Sequence, residues 1–266
     1  MKKKLFMRRF VIGDIHGGYL AIKELLQIID FNYENDLLIS LGDLVDGWSQ
    51  SKEVFDLMLS IKNKVIVRGN HDEMALYYYK RLTHPRFDDY FSIWKGNDAQ
   101  STLDSLGTLE TIKPKYVTLL ENTLEYYILD DNLLFVHAGV PEAAVKTNNL
   151  GSPFFPLEKV DSYNFIWNRS LAKDVYFNRN NPSYKLGNIY KQIYIGHTRV
   201  QKLDENQTTP LTVGNITLMD TGAGQKGKLS IMNIDTKEVF QSQEVRTYYP
   251  FDKGRNEFSY YEEMNK

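Results

Sequence analysis

The chain has 266 residues, enough for one large domain or two small ones, and its 42% hydrophobic content can build a buried core. Lysine plus arginine total 32 against 34 acidic residues, which excludes a global cationic field for gathering nucleic acid or acidic lipid; selectivity has to come from a local site. Cysteine is absent, and with it disulfides, thiolate metal sites and cysteine nucleophiles, so any metal site must use His, Asp, Glu or Asn.

At the start, the basic stretch Met1 to Arg9 leads into an apolar run that Gly13, Asp14 and His16 interrupt, so no signal peptide is read. No stretch approaches the roughly 18 apolar residues of a membrane span, and the expectation is a cytoplasmic protein without a membrane partner. Arg9 to Ile12 reads as a strand ending in G-D-I-H-G-G. It is followed by a helix over Tyr19 to Ile29, where Leu20, Ile22, Leu25, Leu26 and Ile29 recur at helical spacing. The same grammar returns at Asp36 to Leu41, with G-D-L-V-D-G at Gly42 to Gly47 and a helix from about Ser51 to Ile61. It returns again at Lys64 to Val67, with G-N-H-D and a helix through about Leu82. Three strand and helix alternations predict an α/β fold with a largely parallel sheet, in which ligands sit outside the carboxyl ends of the strands.

Thr83 to about Asn132 breaks this rhythm, with predicted helices around Ala99 to Leu106 and Pro114 to Glu121. The chain therefore reads as a single domain over 1–266 with a helical insertion at about 83–132. Leu133 to Val136 resumes the core and ends in H-A-G-V-P, while Asn148 to Pro156 and Asp174 to Gly187 read as surface loops. Gln192 to Ile195 ends in G-H-T, Asn215 to Asp220 ends in T-G-A-G, and Leu229 to Ile234 is a further strand, so the second half is strand-rich. From Gln243 on, charges mix with several tyrosines in weak periodicity, read as a strand pairing followed by a frayed end, with a partner-binding tail as the alternative.

Four of the five histidines, His16, His71, His137 and His197, lie one to three residues beyond a predicted strand end and beside a glycine; His84 does not. Asp14 and Asp43 hold the same strand-end position. With the Asn70 amide, two carboxylates and three imidazoles without sulfur form a donor set for two adjacent divalent ions such as Mn²⁺, Fe²⁺ or Zn²⁺. His71 is the side chain suited to trading a proton near neutral pH.

Taken in order, G-D-I-H-G, G-D-L-V-D-G, G-N-H-D, H-A-G and G-H-T resemble the motifs of the calcineurin-like metallophosphoesterases, most closely the phage and bacterial serine/threonine protein phosphatases. The resemblance implies a sandwich of two mixed β-sheets flanked by helices. It implies that Asp14, His16 and Asp43 hold one metal and that Asp43, Asn70, His137 and His197 hold the other. It implies a water activated by the two metals, His71 as the acid that protonates the leaving alkoxide, and Asp46 orienting its ring. By the same resemblance Arg169, in F-I-W-N-R, contacts the substrate phosphate; a surface arginine after a buried Trp167 is the alternative. Arg68 and Asp220 read as structural, and Arg199 as a solvent-facing arginine that could duplicate Arg169.

One departure stands out. The protein phosphatases of this family usually read G-D-x-x-D-R-G, where the arginine is a second phosphate clamp, and here Gly47 and Trp48 take its place. Trp48 reads as a packing residue, with a stacking face for a nucleotide base as the alternative. The expected function is a metal-dependent phosphoprotein phosphatase of the serine/threonine type. The alternatives are a nucleotide-directed hydrolase, such as a dinucleoside polyphosphate hydrolase or phosphodiesterase, and a non-catalytic interaction module on the same fold. The expected partner is accordingly a phosphoprotein or a phosphorylated small molecule or nucleotide, not a nucleic acid.

Overall fold

Runs of three to six residues, most of them rich in aliphatic or aromatic side chains, form short strands in the computed structural model, which describes residues 7–87, 89–148 and 151–255. In chain order the regular elements are β1 (Arg9–Ile12), α1 (Tyr19–Ile28), β2 (Leu37–Ser40), α2 (Ser51–Ser60), β3 (Asn63–Ile66) and α3 (Asn70–Lys80). There follow α4 (Tyr90–Gly96), α5 (Ala99–Leu106), α6 (Pro114–Glu121), β4 (Tyr126–Leu129), β5 (Leu133–Val136), α7 (Ser162–Ile166) and α8 (Ser170–Phe177). The remainder is β6 (Gln192–Ile195), α9 (Val200–Leu203), β7 (Leu211–Val213), β8 (Ile216–Leu218), β9 (Lys228–Asn233) and β10 (Val239–Glu244).

Among the described residues these strands make two five-stranded mixed sheets, ordered β10-β9-β1-β2-β3 and β4-β5-β6-β8-β7. β1, β2 and β3 run parallel, as do β5, β6 and β8, while β9 and β10 join the first sheet antiparallel and β4 and β7 join the second antiparallel. Side-chain alternation sorts each strand between two environments. Val11, Ile39 and Met232 of the first sheet meet Leu133, Phe135 and Tyr194 of the second in the layer between them, with the Phe135 and Tyr194 rings stacked 4.9 Å apart. The intervening residues face outward. Phe10, Ile12, Leu38 and Ile231 pack with Ile22 and Leu25 of α1 and Phe55 and Met58 of α2. Leu134, Val136, Ile193 and Ile195 pack with Phe165 of α7 and Val175 of α8. Each fully buried side chain of this size contributes about 1.5–3 kcal/mol of transfer free energy, so the sandwich rests on its three apolar layers.

The structure differs from the sequence expectation in three places. Residues 83–132 are not helical throughout, because Tyr126–Leu129 pairs antiparallel with β5 as an edge strand; a four-residue apolar run cannot be assigned from periodicity. The same stretch contains α4, too short to show a period, which is capped by the Asp89 side chain accepting from Ser92 N (2.9 Å) and buries Tyr90 and Trp94. α8 extends to Phe177, into residues expected to be loop, because Leu171, Ala172 and Val175 give it a buried stripe. Among the described residues no helix is long and apolar enough to cross a membrane. Beyond β10 the chain makes a 3-10 turn at Val245–Thr247 and continues to Arg255; the frayed end expected after that lies outside the described residues.

Candidate active site

The loops beyond the carboxyl ends of the parallel strands converge on one place. Asp14 and His16 follow β1, Asp43 and Asp46 follow β2, Asn70 and His71 open α3 directly after β3, His137 follows β5 and His197 follows β6. None of these eight residues is more than 6% exposed. His16, Asp43, Asp46 and His197 have φ of 51°, 51°, 67° and 63°, a left-handed conformation that costs energy in a non-glycine residue and concentrates at functional sites. The loops also touch: His16 N donates to Asp43 O (2.8 Å), His71 N to Asp43 Oδ1 (2.9 Å) and His197 N to Asp14 Oδ2 (3.0 Å). Gly69 makes this approach possible, because a Cβ there would lie 2.1 Å from Asp43 Oδ1.

Backbone carbonyls set the tautomers. A carbonyl only accepts, so the ring nitrogen facing it must carry the proton. His16 Nδ1 faces Val45 O (3.0 Å), His137 Nδ1 faces Leu41 O (2.7 Å) and His197 Nε2 faces Trp167 O (3.0 Å). The other nitrogen of each ring therefore turns a lone pair inward. His137 Nε2 lies 3.1 Å from His197 Nδ1 and 3.2 Å from Asn70 Oδ1. Asp43 Oδ2 lies 3.5 Å from His137 Nε2 and 3.7 Å from His16 Nε2. Acceptors that converge without a proton between them repel one another, and a cation removes that cost. Two groups can each hold a metal ion, Asp14 with His16 and Asp43, and Asp43 with His137 and His197, each with its donor atoms within 4.8 Å of one another. Burial pushes the imidazoles of His16, His137 and His197 down, His137 to about 4, and so keeps them neutral and able to ligate. Burial raises the Asp14 carboxyl and takes Asp43 to about 7, which marks how much a nearby cation would gain.

Beside this cluster the His71 ring meets the His16 ring edge-on at 5.1 Å, and its Nδ1 donates to Asp46 Oδ2 at 2.6 Å. Asp46 is fully buried and accepts two further hydrogen bonds, from Trp94 Nε1 (2.8 Å) and Thr102 Oγ1 (2.5 Å). Trp94 and Thr102 come from α4 and α5 and were not foreseen; nothing in their local sequence marks them. Asp72 sits in the first turn of α3. It also crosses to the β2 loop, accepting from Gly69 N (3.0 Å) and Leu44 N (2.8 Å), and so locks the β2 and β3 loops together.

Arg169 lies at the His197 end of the cluster and donates to His197 O (2.6 Å) and Thr198 Oγ1 (3.2 Å). Asp220 is buried and accepts from Gly222 N (2.9 Å), a turn role. Arg68 donates to Thr123 Oγ1 (2.8 Å) and Thr123 O (3.0 Å), tying the end of β3 to the residues before β4. Arg199 stands at the head of α9, lining a cleft that includes none of the donors. Trp48 is 1% exposed and so offers no face to a ligand. His84 lies beside Glu73 (3.6 Å), away from the donors, and Glu73 also accepts from Tyr90 and Trp167.

Residues 7–211 match the family model for calcineurin-like phosphoesterases, and the chain belongs to that family. It is 26% identical to the asymmetrical bis(5'-nucleosyl)-tetraphosphatase PrpE of Anoxybacillus flavithermus, over 91% of this chain and 98% of that one. It is 41% identical to the symmetrical bis(5'-nucleosyl)-tetraphosphatase of Coxiella burnetii, over 50% of this chain and 42% of the relative. The chain spans less than half the length of the symmetrical relatives it matches. Among solved structures, a putative diadenosine tetraphosphatase shares the fold with a TM-score of 0.59 and 16% identity, over 90% of this chain and 94% of that one.

Proposed function

We propose that the chain hydrolyses phosphoric esters and anhydrides at a pair of divalent cations, with dinucleoside polyphosphates as its substrate class. The convergence of unprotonated donors on Asp43 carries the chemical part of this reading. The match to an asymmetrical tetraphosphatase along nearly the whole of both chains supports the substrate class. Asp14, His16 and Asp43 would hold one cation, and Asp43, Asn70, His137 and His197 the other; imidazole with carboxylate and amide oxygen suits Mn²⁺ first, then Fe²⁺ or Zn²⁺. Bound there, two cations lower the pKa of a water and neutralise charge on the phosphoryl oxygens.

His71 is the acid in this reading. With its transferable proton aboard, the His71–Asp46 pair carries no net charge, and burial disfavours the charged pair that remains once the proton leaves. The pair thus holds the proton until a developing alkoxide or phosphate takes it. Asp46, held by Trp94 and Thr102, keeps the ring from turning. Arg169 would bind phosphoryl oxygens at the His197 end, where its planar fork suits two oxygens.

The motifs themselves favour phosphoserine or phosphothreonine, and one experiment separates the readings. Metal-reconstituted protein is assayed on diadenosine tetraphosphate, a phosphothreonine peptide, p-nitrophenyl phosphate and its bis ester. The expected kcat/KM is at least about tenfold higher on the dinucleotide than on the peptide. A peptide preference would instead establish the phosphoprotein reading, and no turnover of any substrate would leave only the non-catalytic module.

A further inference from the structure

Two features far apart in sequence meet beside His16. Gly47 has φ of 112°, a conformation that suits glycine, and a Cβ there would lie 2.8 Å from Arg255 Cγ. Trp48 donates Nε1 to Ala223 O (2.7 Å), stacks on Tyr249 (5.3 Å between centroids, 19° between planes) and lies so close to Gly254 that a Cβ there would be 2.8 Å from its ring. The segment after β10 is fastened along its length. Tyr249 Oη accepts from Leu20 N (2.9 Å) and donates to Gln50 Oε1 (2.7 Å), Ser49 N donates to Asp252 Oδ2 (3.1 Å), and Arg255 N donates to Gly224 O (2.7 Å).

These anchors lay the Arg255 side chain across Gly47 and Gly224 and bring its Nη1 to 3.5 Å from His16 Nε2, one of the inward-facing lone pairs. Among the described residues its Nε is buried without a hydrogen-bond partner. A guanidinium facing donors that hold divalent cations is repelled by them, unless an anion lies between. Arginine's fork is shaped for two oxygens of such an anion. Arg169 occupies the other end of the cluster, at His197. Arg255 also lines a cleft of about 540 Å³ together with Lys226, Arg246, Asp252 and Lys253.

We infer that Arg255, delivered by the C-terminal segment across Gly47, is a phosphate-binding residue of this site, and this rests on the hydrolase reading proposed above. Gly47 and Trp48 are then the seat of that segment: the glycine leaves room for the arginine stem, and the tryptophan anchors the chain that carries it.

The test is calorimetric titration of inorganic phosphate into Mn²⁺-loaded protein, with metal content measured on each sample and KM and kcat on p-nitrophenyl phosphate alongside. Arg255→Ala should keep its metal and bind phosphate about 10- to 100-fold more weakly, the range for losing one charged hydrogen-bonding partner. KM should rise with it, and Arg255→Lys should recover part of the loss, since lysine restores charge without the fork. If Arg255→Ala does not fold, Arg255→Met retains the stem against Gly47 and should show the same weakening. Phosphate affinity within twofold of wild type in a folded, metal-loaded variant overturns the inference. So does tighter metal binding with unchanged phosphate affinity, which would make Arg255 a counter-charge to the carboxylates. Wild-type protein that binds phosphate through Arg255 but turns over no ester overturns the hydrolase reading alone.

Discussion

Asp46 shows how a single side chain is prepared by residues far from it in sequence. Its carboxyl is raised well above the usual range by burial, against the hydrogen bonds from Thr102 and Trp94, and its remaining strong partner is His71. A ring held this way can be replaced without touching the side chains proposed to hold the metals. His71→Asn should leave metal content and folding unchanged while lowering kcat about 10²–10⁴-fold on alkyl phosphates, the typical share of general acid catalysis. The loss should be much smaller on p-nitrophenyl phosphate, whose leaving group scarcely needs a proton. Equal losses on both substrates would show that His71 binds or positions instead.

At the scale of elements, α3 and the insertion helices close the site from one side, and a polar seam between α2 and α6 holds part of that wall. Asp56 of α2 accepts from Lys115 Nζ and from Tyr116 Oη (3.0 Å), both on α6, and from Lys52 one turn away (3.2 Å). Partial burial pushes its carboxyl up, but the hydrogen bonds from Lys115, Lys52 and Tyr116 outweigh it and hold the carboxyl at about 2, below its ordinary 3.8. A carboxyl depressed in the folded state stabilises the fold above its unfolded value and loses that contribution as pH falls through the folded value. Urea midpoints of wild type should therefore fall relative to Asp56→Asn as pH drops from about 5 toward 2. Parallel pH profiles for the two proteins would show that the seam adds nothing to stability. The effect should be small, because the group is partly open to solvent.

For the whole molecule, the two sheets that pack face to face also share one site, since one donor group draws on the β1 and β2 loops and the other adds His137 and His197 from the second sheet. Asp43 is common to both. Metal analysis of wild type should find two ions per chain, excess chelator should abolish activity and Mn²⁺ should restore it. Asp43→Asn should weaken both sites, where Asp14→Asn weakens one. The same ions should stabilise the fold by about 2.7 kcal/mol at a hundredfold excess over Kd for each site, visible as a rise in Tm that Asp43→Asn suppresses. One ion or none in active wild-type protein would remove the basis for the shared carboxylate.

Much of this was legible in the sequence because strands of four residues announce themselves by where they stop. The glycine, aspartate and histidine beyond Ile12, Leu41, Val67, Val136 and Ile195 marked the strand ends and the polar groups presented there, and parallel α/β order implies a common edge for them. What needed the tertiary structure were relations with no local signature. β4 is a strand only because β5 offers it an edge, and Trp94 and Thr102 matter only because α4 and α5 dock over Asp46. The exchange at Gly47 reads as a vacancy along the chain, yet Arg255, 208 residues later, lies across it. Sequence periodicity reports what each element buries; which distant side chain fills a given space is decided only when the elements pack.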